Sequence, residues 1–253
     1  MRPRVVKVGG SVLGDAEWLA SFAEHVAAAS GPVVVVHGGG PEISELSSRL
    51  GVAVTWVDGR RVTPPEAMDV TAMVLSGRIN KRVVAALLTA GVDAVGLSGE
   101  DGRLLVARPR ENGALGRVGE LVSVRASLLR ALLDAGHTPV VSPVSRGVDA
   151  APLNVNADEA ATAIAAALGA SELLYLTDVP GVLAGGAVVP GLSAAEAEGL
   201  VVSGAATGGM AVKLEAALAA LGGGVHCVRI GTLELLTSPD AGTAVRAGEE
   251  AFA

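Results

Sequence analysis

The chain has 253 residues, one cysteine and a formal net charge of −7 at pH 7. This length is enough for one large α/β domain, or for two lobes on a shared sheet, with a full hydrophobic core. The acidic balance argues against nucleic-acid binding, because phosphate backbones are bound by clustered lysine and arginine. The apolar runs are far shorter than the ~20 residues that span a bilayer, and the lone Cys227 excludes an intramolecular disulfide. We therefore expect a cytoplasmic protein with no nucleic-acid or membrane partner.

The first half of the chain alternates short β-branched runs with helical patterns, which is typical of parallel βαβ units. In chain order the sequence predicts a strand at 4–8, a helix at 16–29, a strand at 32–36 and a helix at 41–50. The four consecutive valines at 33–36 predict a central strand that is buried on both faces.

The middle of the chain is more polar and then returns to the strand pattern. Residues 52–63 predict a β-hairpin, and 64–77 and 79–90 predict two consecutive helices. Further strands are predicted at 94–97, 139–141 and 173–177, with an alanine-rich helix at 158–168. The basic, glycine-punctuated stretch 103–122 predicts a hairpin excursion outside the sheet core. A soft boundary near residue 170 predicts an N-terminal lobe, 1–170, and a C-terminal lobe, 171–253.

Two glycine-rich turns directly follow predicted strands, at Gly9-Gly10-Ser11 and at Gly38-Gly39-Gly40-Pro41. Glycines in such turns let the backbone approach a ligand closely and direct free N–H groups at an anion. Each turn by itself is equally compatible with a tight βα connection. The spacing of the glycines and lysines excludes a P-loop nucleoside triphosphatase and disfavours a Rossmann dehydrogenase.

Lysine is scarce: only Lys7, Lys81 and Lys213 occur, against sixteen arginines. A lysine retained against this bias marks a candidate place where a compact ammonium group is needed. The four histidines are scattered without ligand spacing, so we expect no metal site held by the protein.

Eight segments occur in an order that resembles the amino acid kinase family across nearly the whole chain. They are VVKVGG at 5–10, VHGGGP at 36–41, GRRVT at 59–63, GRINK at 77–81, GLSGEDG at 96–102, NVNAD at 154–158, TDVPGV at 177–182 and TGGMAVK at 207–213. The resemblance implies a three-layer αβα sandwich whose mainly parallel central sheet is shared by two lobes. The N-terminal lobe would bind an acyl amino acid and mediate dimerisation, and the C-terminal lobe would bind ATP.

The segments are most similar to the branch of the family that phosphorylates the side-chain carboxylate of N-acetyl-L-glutamate for arginine biosynthesis. In that branch Lys7 and Lys213 would stabilise the transferring phosphoryl group, and Asp158 would hold both lysines. The residues implied for acetylglutamate are Gly39, Gly40, Arg61 and Asn154. Those implied for the nucleotide, ATP with Mg²⁺, are Gly9, Gly10, Asp178, Val179, Pro180, Gly181, Val182, Leu183, Ala205, Ala206 and Thr207.

The implied chemistry agrees with the absence of a candidate catalytic histidine. A glutamate-type carboxylate has a pKa of ~4.3 and is already ionised near neutral pH, so its attack needs no general base. The reaction needs relief of the repulsion between two anions, which cations and N–H groups supply. Arg61 suits a bidentate grip on the substrate α-carboxylate.

The resemblance also implies an oligomeric state, and two alternative functions remain open. Because only Met1-Arg2-Pro3 precede the first strand, the resemblance implies a homodimer without arginine feedback. A sister kinase acting on carrier-linked aminoadipate or glutamate is an alternative, and Arg103, Arg108, Arg110 and Arg117 could then form a basic groove for the carrier. A non-catalytic amino-acid sensor is another alternative, disfavoured because the chain keeps Lys7 and Lys213.

Overall fold

The computed structural model describes residues 1–57, 60–184 and 186–248. Gly59, the first residue of the predicted GRRVT segment, lies outside the described residues. The helices are α1 (Ala16–Ala28), α2 (Gly40–Arg49), α3 (Pro65–Ala72), α4 (Asn80–Thr89), α5 (Ala126–Asp134), α6 (Ala157–Leu168), α7 (Ala194–Val202) and α8 (Gly208–Gly222). The strands are β1 (Arg4–Val8), β2 (Val33–His37), β3 (Thr55–Val57), β4 (Arg60–Val62), β5 (Ala94–Gly99), β6 (Leu105–Pro109), β7 (Gly119–Val124), β8 (Thr138–Gly147), β9 (Pro152–Asn154), β10 (Glu172–Leu176), β11 (Leu183–Ala184), β12 (Ala187–Val188), β13 (Gly191–Ser193), β14 (Cys227–Gly231) and β15 (Thr243–Arg246).

Eleven of the described strands form one sheet. Its main path runs in the order β13-β15-β14-β10-β1-β2-β8-β6-β7, and β5 and β9 also pair with β8. The central pairs β10–β1, β1–β2 and β2–β8 are parallel. The carboxyl ends of β1 and β2 therefore open at the same edge, where ligands bind in open α/β sheets.

Hydrophobic side chains on the two faces of this sheet form two separate cores. Val5 and Val34 pack with residues of α5, α6, α7 and α8, whereas Val6 and Val35 pack with residues of α1 to α4. Alternate strand residues point to opposite faces, so each strand contributes to both cores. The predicted αβα sandwich with a mainly parallel sheet is confirmed, and all four valines at 33–36 are buried.

The two helices predicted at 64–77 and 79–90 are one continuous helical segment. Between α3 and α4 the chain forms a π-helix, Met73–Ile79, and the residues at both junctions have right-handed helical dihedral angles. Gly77 weakens a helix by about 1 kcal/mol relative to alanine. Burial of Val74, Leu75 and Ile79 offsets that cost and keeps the helix intact.

The stretch predicted as an excursion outside the sheet core belongs to the main sheet. β6 and β7 form the expected antiparallel hairpin, but β6 also pairs in parallel with β8. Leu105 and Ala107 are fully buried in the core beneath it. Their alternation with more exposed residues is the period-two signal of a half-buried strand, which the glycines on either side obscured.

No helix in the described parts of the chain is both long and apolar enough to cross a membrane.

Candidate active site

Lys7 and Asp158 form an ion pair at the carboxyl end of the central sheet. Lys7 lies near the end of β1, and its Nζ is 2.8 Å from Oδ1 of Asp158. Asp158 is in the first turn of α6, where the side chain of Asn156 caps the helix by accepting from the backbone N–H groups of Asp158 and Glu159. The cap fixes the start of the helix and so fixes the carboxylate opposite the lysine.

Lys213 shares a cavity with this pair. The cavity has a volume of about 230 Å³, and its lining includes Lys7, Asp158, Tyr175 and Lys213. Lys213 Nζ donates to the carbonyl oxygen of Gly209, 3.4 Å away. Among the described residues Asp158 makes an ion pair with Lys7 and none with Lys213. We call this space the phosphate cavity, after the role predicted for its two lysines. The second role predicted for Asp158, which is to hold Lys213, stays a prediction.

The two glycine turns face each other at van der Waals distance. A Cβ atom built on Gly10 would lie 2.5 Å from Cα of Gly39, and one built on Gly39 would collide with the side chains of Leu75 and Ile79. At Gly10 a Cβ would meet backbone atoms, so only glycine fits there, whereas a Cβ at Gly39 would require the side-chain ends of Leu75 and Ile79 to move. The close approach explains both glycines structurally, in addition to the ligand role predicted for them.

The four residues predicted for the acyl substrate, Gly39, Gly40, Arg61 and Asn154, line one cavity of about 170 Å³. We call it the acyl pocket. Arg61 is 6% exposed, and its Nη2 donates to Gly40 O at 2.9 Å and to Ser44 Oγ at 2.7 Å. Asn154 Nδ2 donates to Thr63 Oγ1 at 3.2 Å.

Arg61 is more constrained than the sequence indicated. Burial lowers the pKa of its guanidinium, and the ring of Trp56 covers the guanidinium carbon at 4.5 Å. Its Nη1 is buried and has no hydrogen-bond partner among the described residues. Nη2 of Arg61 already makes two hydrogen bonds within the protein, and the bidentate grip predicted for this residue stays a prediction.

A third cavity, of about 480 Å³, gathers most of the residues predicted for the nucleotide. Its lining contains Val179, Gly181, Val182, Leu183, Ala205, Ala206 and Thr207. Gly9, Gly10, Asp178 and Pro180 are not part of that lining. The hydrogen bond from Thr177 lowers the pKa of Asp178, with smaller contributions from its own backbone amide and from the charge of Lys213.

Lys81, the third lysine, lies elsewhere. Its Nζ donates to Asn80 Oδ1 at 3.1 Å and to Gly96 O at 3.3 Å, so its contacts are structural.

The sequence analysis missed His37, which supports the second glycine turn. The ring is fully buried, with Nδ1 3.1 Å from Gly38 O and Nε2 3.2 Å from Asn80 Nδ2. These partners require a neutral ring that donates from Nδ1 and accepts at Nε2. Burial lowers the pKa of His37 to about 4, against a smaller opposite effect of the Gly38 carbonyl. Its place directly before the glycines was the available signal.

Among the described residues no three or more His, Cys, Asp or Glu side chains are clustered for metal binding.

The fold and these cavities agree with the model of the amino acid kinase family, which matches residues 2–232. The chain belongs to this family. The acetylglutamate kinase of Roseiflexus sp. (strain RS-1) is 49% identical over 232 residues, covering 91% of this chain and 88% of the relative. The acetylglutamate kinase of Geobacillus kaustophilus (strain HTA426) is 47% identical, covering 86% and 84%. Carbamate kinase from Giardia lamblia bound to AMP-PNP has a TM-score of 0.73 at 17% identity, covering 98% of this chain and 99% of that one, which shows the shared fold.

Proposed function

We propose that the protein transfers the γ-phosphoryl group of ATP to the side-chain carboxylate of N-acetyl-L-glutamate, forming an acyl phosphate in arginine biosynthesis. One observation carries the proposal. The first residues of α6 line both the phosphate cavity and the acyl pocket, and the first residues of α8 line both the phosphate cavity and the third cavity. Ala157 and Glu159 line the acyl pocket while Asp158 lines the phosphate cavity. Thr207 and Met210 line the third cavity while Gly209 and Lys213 line the phosphate cavity. A carboxylate from one side and a nucleotide phosphate from the other would thus meet beside two lysines.

The proposed roles follow from charge. The acceptor carboxylate attacks without a general base because it is already ionised. Lys7 and Lys213 stabilise the negative charge that develops on the transferring group, and Asp158 orients Lys7. Mg²⁺ would enter with the nucleotide, held by phosphate oxygens and water, and would neutralise phosphate charge. Asp158 is engaged by Lys7, so this chain's contribution to the transfer is positioning and cationic charge.

We assign the N-terminal lobe, 1–170, to the acyl substrate and the C-terminal lobe, 171–253, to ATP. This assignment is supported by the part of the chain that supplies the lining of each cavity. The acyl pocket is lined from Gly38 to Glu159, and the third cavity from Val179 to Met210. The phosphate cavity takes Lys7 from one lobe and Lys213 from the other.

A free substrate is favoured over a carrier-linked one. The carrier hypothesis needed a basic groove, but three of its four arginines pair with carboxylates. Arg108 pairs with Glu120 at 3.2 Å, Arg110 with Glu159 at 2.7 Å and Arg117 with Asp149 at 2.7 Å. Compensated charges attract an acidic partner weakly.

We also propose a homodimer in the cytoplasm. Among the described strands β5 pairs with β8 alone, which leaves one edge of β5 available for an interface. Leu88 on the adjoining α4 is 52% exposed. The single, buried Cys227 suits a reducing compartment.

Trapping of the acyl phosphate with hydroxylamine tests the reaction. Purified protein is incubated with ATP, Mg²⁺ and either acetylglutamate, aspartate or carrier-linked glutamate. We expect hydroxamate from acetylglutamate alone, and none when ATP is omitted. Product from the carrier-linked substrate and none from acetylglutamate would overturn the proposal.

A further inference from the structure

Three arginines and one glutamate surround the acyl pocket, and they come from three separate parts of the chain. Arg60 lies on β4, Arg110 follows β6, and Glu159 is in the first turn of α6. Arg110 Nη2 is 2.7 Å from Glu159 Oε2, and Arg60 Nη2 is 3.8 Å from Glu159 Oε1. With Arg61, the described lining carries three guanidinium groups against one carboxylate. The net positive charge of the pocket wall therefore favours an anionic ligand.

Two guanidinium nitrogens in this wall are buried without a partner among the described residues: Nη1 of Arg61 and Nε of Arg110. A buried N–H of a charged group that makes no hydrogen bond destabilises the folded protein, so such groups call for an explanation. Both arginines line the same cavity of about 170 Å³. Each already uses Nη2, Arg61 on Gly40 and Ser44 and Arg110 on Glu159. In each arginine the buried nitrogen without a partner is thus left to donate to a ligand.

We propose that Arg110 is a second substrate-binding residue, whose Nε–H donates to one oxygen of the α-carboxylate of acetylglutamate while Nη1–H of Arg61 donates to the other. This inference rests on the proposed function and assigns the grip on the α-carboxylate to two arginines. The side-chain carboxylate of the substrate is committed to the phosphate cavity, and the acetyl oxygen is neutral. The α-carboxylate is the remaining anionic group, and two cationic donors match its two oxygens.

Glu159 acts on the substrate through Arg110 and is a positioning residue. Its carboxylate accepts a hydrogen bond from Arg110 Nη2 at 2.7 Å and holds the guanidinium in one orientation. Removing this carboxylate leaves the charge and the Nε–H of Arg110 in place. Removing the guanidinium takes both away. The two changes therefore have different consequences for the substrate.

The first experiment compares Arg110→Gln with Arg108→Gln in the full-length protein. Arg108 lies two residues earlier, pairs with Glu120 at the surface and loses the same charge, so it is a matched control. We expect Arg110→Gln to raise the KM for acetylglutamate roughly tenfold to a hundredfold, the range for a lost charged hydrogen bond. The kcat and the KM for ATP stay near the wild-type values, and Arg108→Gln leaves all three unchanged.

The second experiment uses 4-acetamidobutanoate, which keeps the acetamide and the reacting carboxylate but lacks the α-carboxylate. As substrate or as competitive inhibitor, it should interact equally with wild type and Arg110→Gln. Glu159→Gln should raise the KM for acetylglutamate far less than Arg110→Gln does. If Arg110→Gln fails to fold, Arg110→Lys, which keeps the charge but loses the Nε geometry, is measured with the same two compounds and should be impaired only with acetylglutamate.

Three results would overturn the role of Arg110 while the wild type remains active. They are an unchanged KM in Arg110→Gln, an equal defect with 4-acetamidobutanoate, and an equal defect in Glu159→Gln, which indicates a structural ion pair. A wild-type protein that does not phosphorylate acetylglutamate would instead overturn the proposed function and this inference together.

Discussion

The two lysines of the phosphate cavity lie in contrasting surroundings. Lys7 projects from a buried strand, its side chain is 18% exposed, and Asp158 holds its ammonium at 2.8 Å. Lys213 lies on α8, and its one hydrogen bond among the described residues is a 3.4 Å contact with the carbonyl of its own helix turn. The adjoining cavities differ in the same way, with about 170 Å³ on the acyl side and about 480 Å³ on the nucleotide side.

The difference agrees with the division proposed for the site, an acyl substrate on one side and a nucleotide on the other. The side chains and turns of the acyl pocket are held by contacts within the protein: Arg61 donates to Gly40 and Ser44, and the two glycine turns pack against each other. A small acceptor that must be aimed at a phosphorus atom gains from such preorganisation. The third cavity is larger, about 480 Å³, which suits the larger ligand proposed for it.

The lysines themselves should give the largest effects. Lys7→Ala and Lys213→Ala should each lower kcat roughly 10²- to 10³-fold, since each removes a cation from the developing negative charge. Replacement by arginine should distinguish Lys7 from Lys213. Lys7→Arg should remain as impaired as Lys7→Ala, because the larger guanidinium does not fit against Asp158, whereas Lys213→Arg should recover part of the activity. Steady-state kinetics with circular dichroism as a folding control measures this, and near-normal turnover in either alanine variant would contradict the mechanism.

His37 should make the acyl side sensitive to acid. Its pKa is about 4 in the folded protein, against an ordinary value of 6.5. Between these values the unfolded chain binds a proton that the folded chain does not, so stability falls as the pH drops from 6.5 towards 4. The full shift corresponds to about 3 kcal/mol.

Urea unfolding of wild type and His37→Asn at pH 7 and pH 4.5 measures this dependence. The variant should lose less stability over the interval than the wild type, although it is less stable at pH 7. Replacing His226, which is exposed, by glutamine is the matched control for the loss of one histidine. Equal losses in wild type and His37→Asn would show that His37 is not the group responsible.

The contact between the glycine turns should be sensitive to a single methyl group. In Gly10→Ala the new Cβ would meet backbone atoms of Gly39, which cannot move aside as a side chain can. We expect a loss of about 1–3 kcal/mol in the free energy of unfolding, the usual cost of overpacking. Gly14→Ala, in the same connection but with no atom within 4 Å of its Cβ, should be neutral. A stable Gly10→Ala protein would mean that the two turns are less tightly packed than the structure indicates.

Much of the fold could be predicted from local patterns. The valine run of β2 and the strand of β1 are encoded by consecutive β-branched residues, and the observed bounds differ by a residue or less from those predicted. The errors came from glycines. The two helices predicted at 64–77 and 79–90 meet beside Gly77 but form one segment whose buried face keeps it helical, and the glycines around β6 hid a strand of the main sheet.

The candidate site divides along the same line. Most of the residues that came from the family resemblance line three cavities, whereas Gly9, Gly10, Asp178 and Pro180 line none of the three, and the roles of all of them stay predictions. The contacts that local patterns do not predict join distant parts of the chain: His37 and Asn80 are 43 residues apart, and Arg110 and Glu159 are 49 residues apart. Spacing patterns report on neighbours within one helix or strand, so these pairings become visible only in the folded chain.

Trp56 should give the smallest effect, and it tests whether the rigidity of the acyl side extends to its outer surface. The side chain is 52% exposed, yet its ring lies 4.5 Å from the Arg61 guanidinium carbon. A cation–π contact at an exposed site stabilises by roughly 0.5–1 kcal/mol, so Trp56→Ala should raise the KM for acetylglutamate about two- to fivefold with little change in kcat. Val57→Ala, the next residue on the same strand and also exposed, should not alter the KM. Because Arg61 keeps its hydrogen bonds to Gly40 and Ser44, a much larger rise in Trp56→Ala would mean that the hairpin, rather than these bonds, holds the arginine in place.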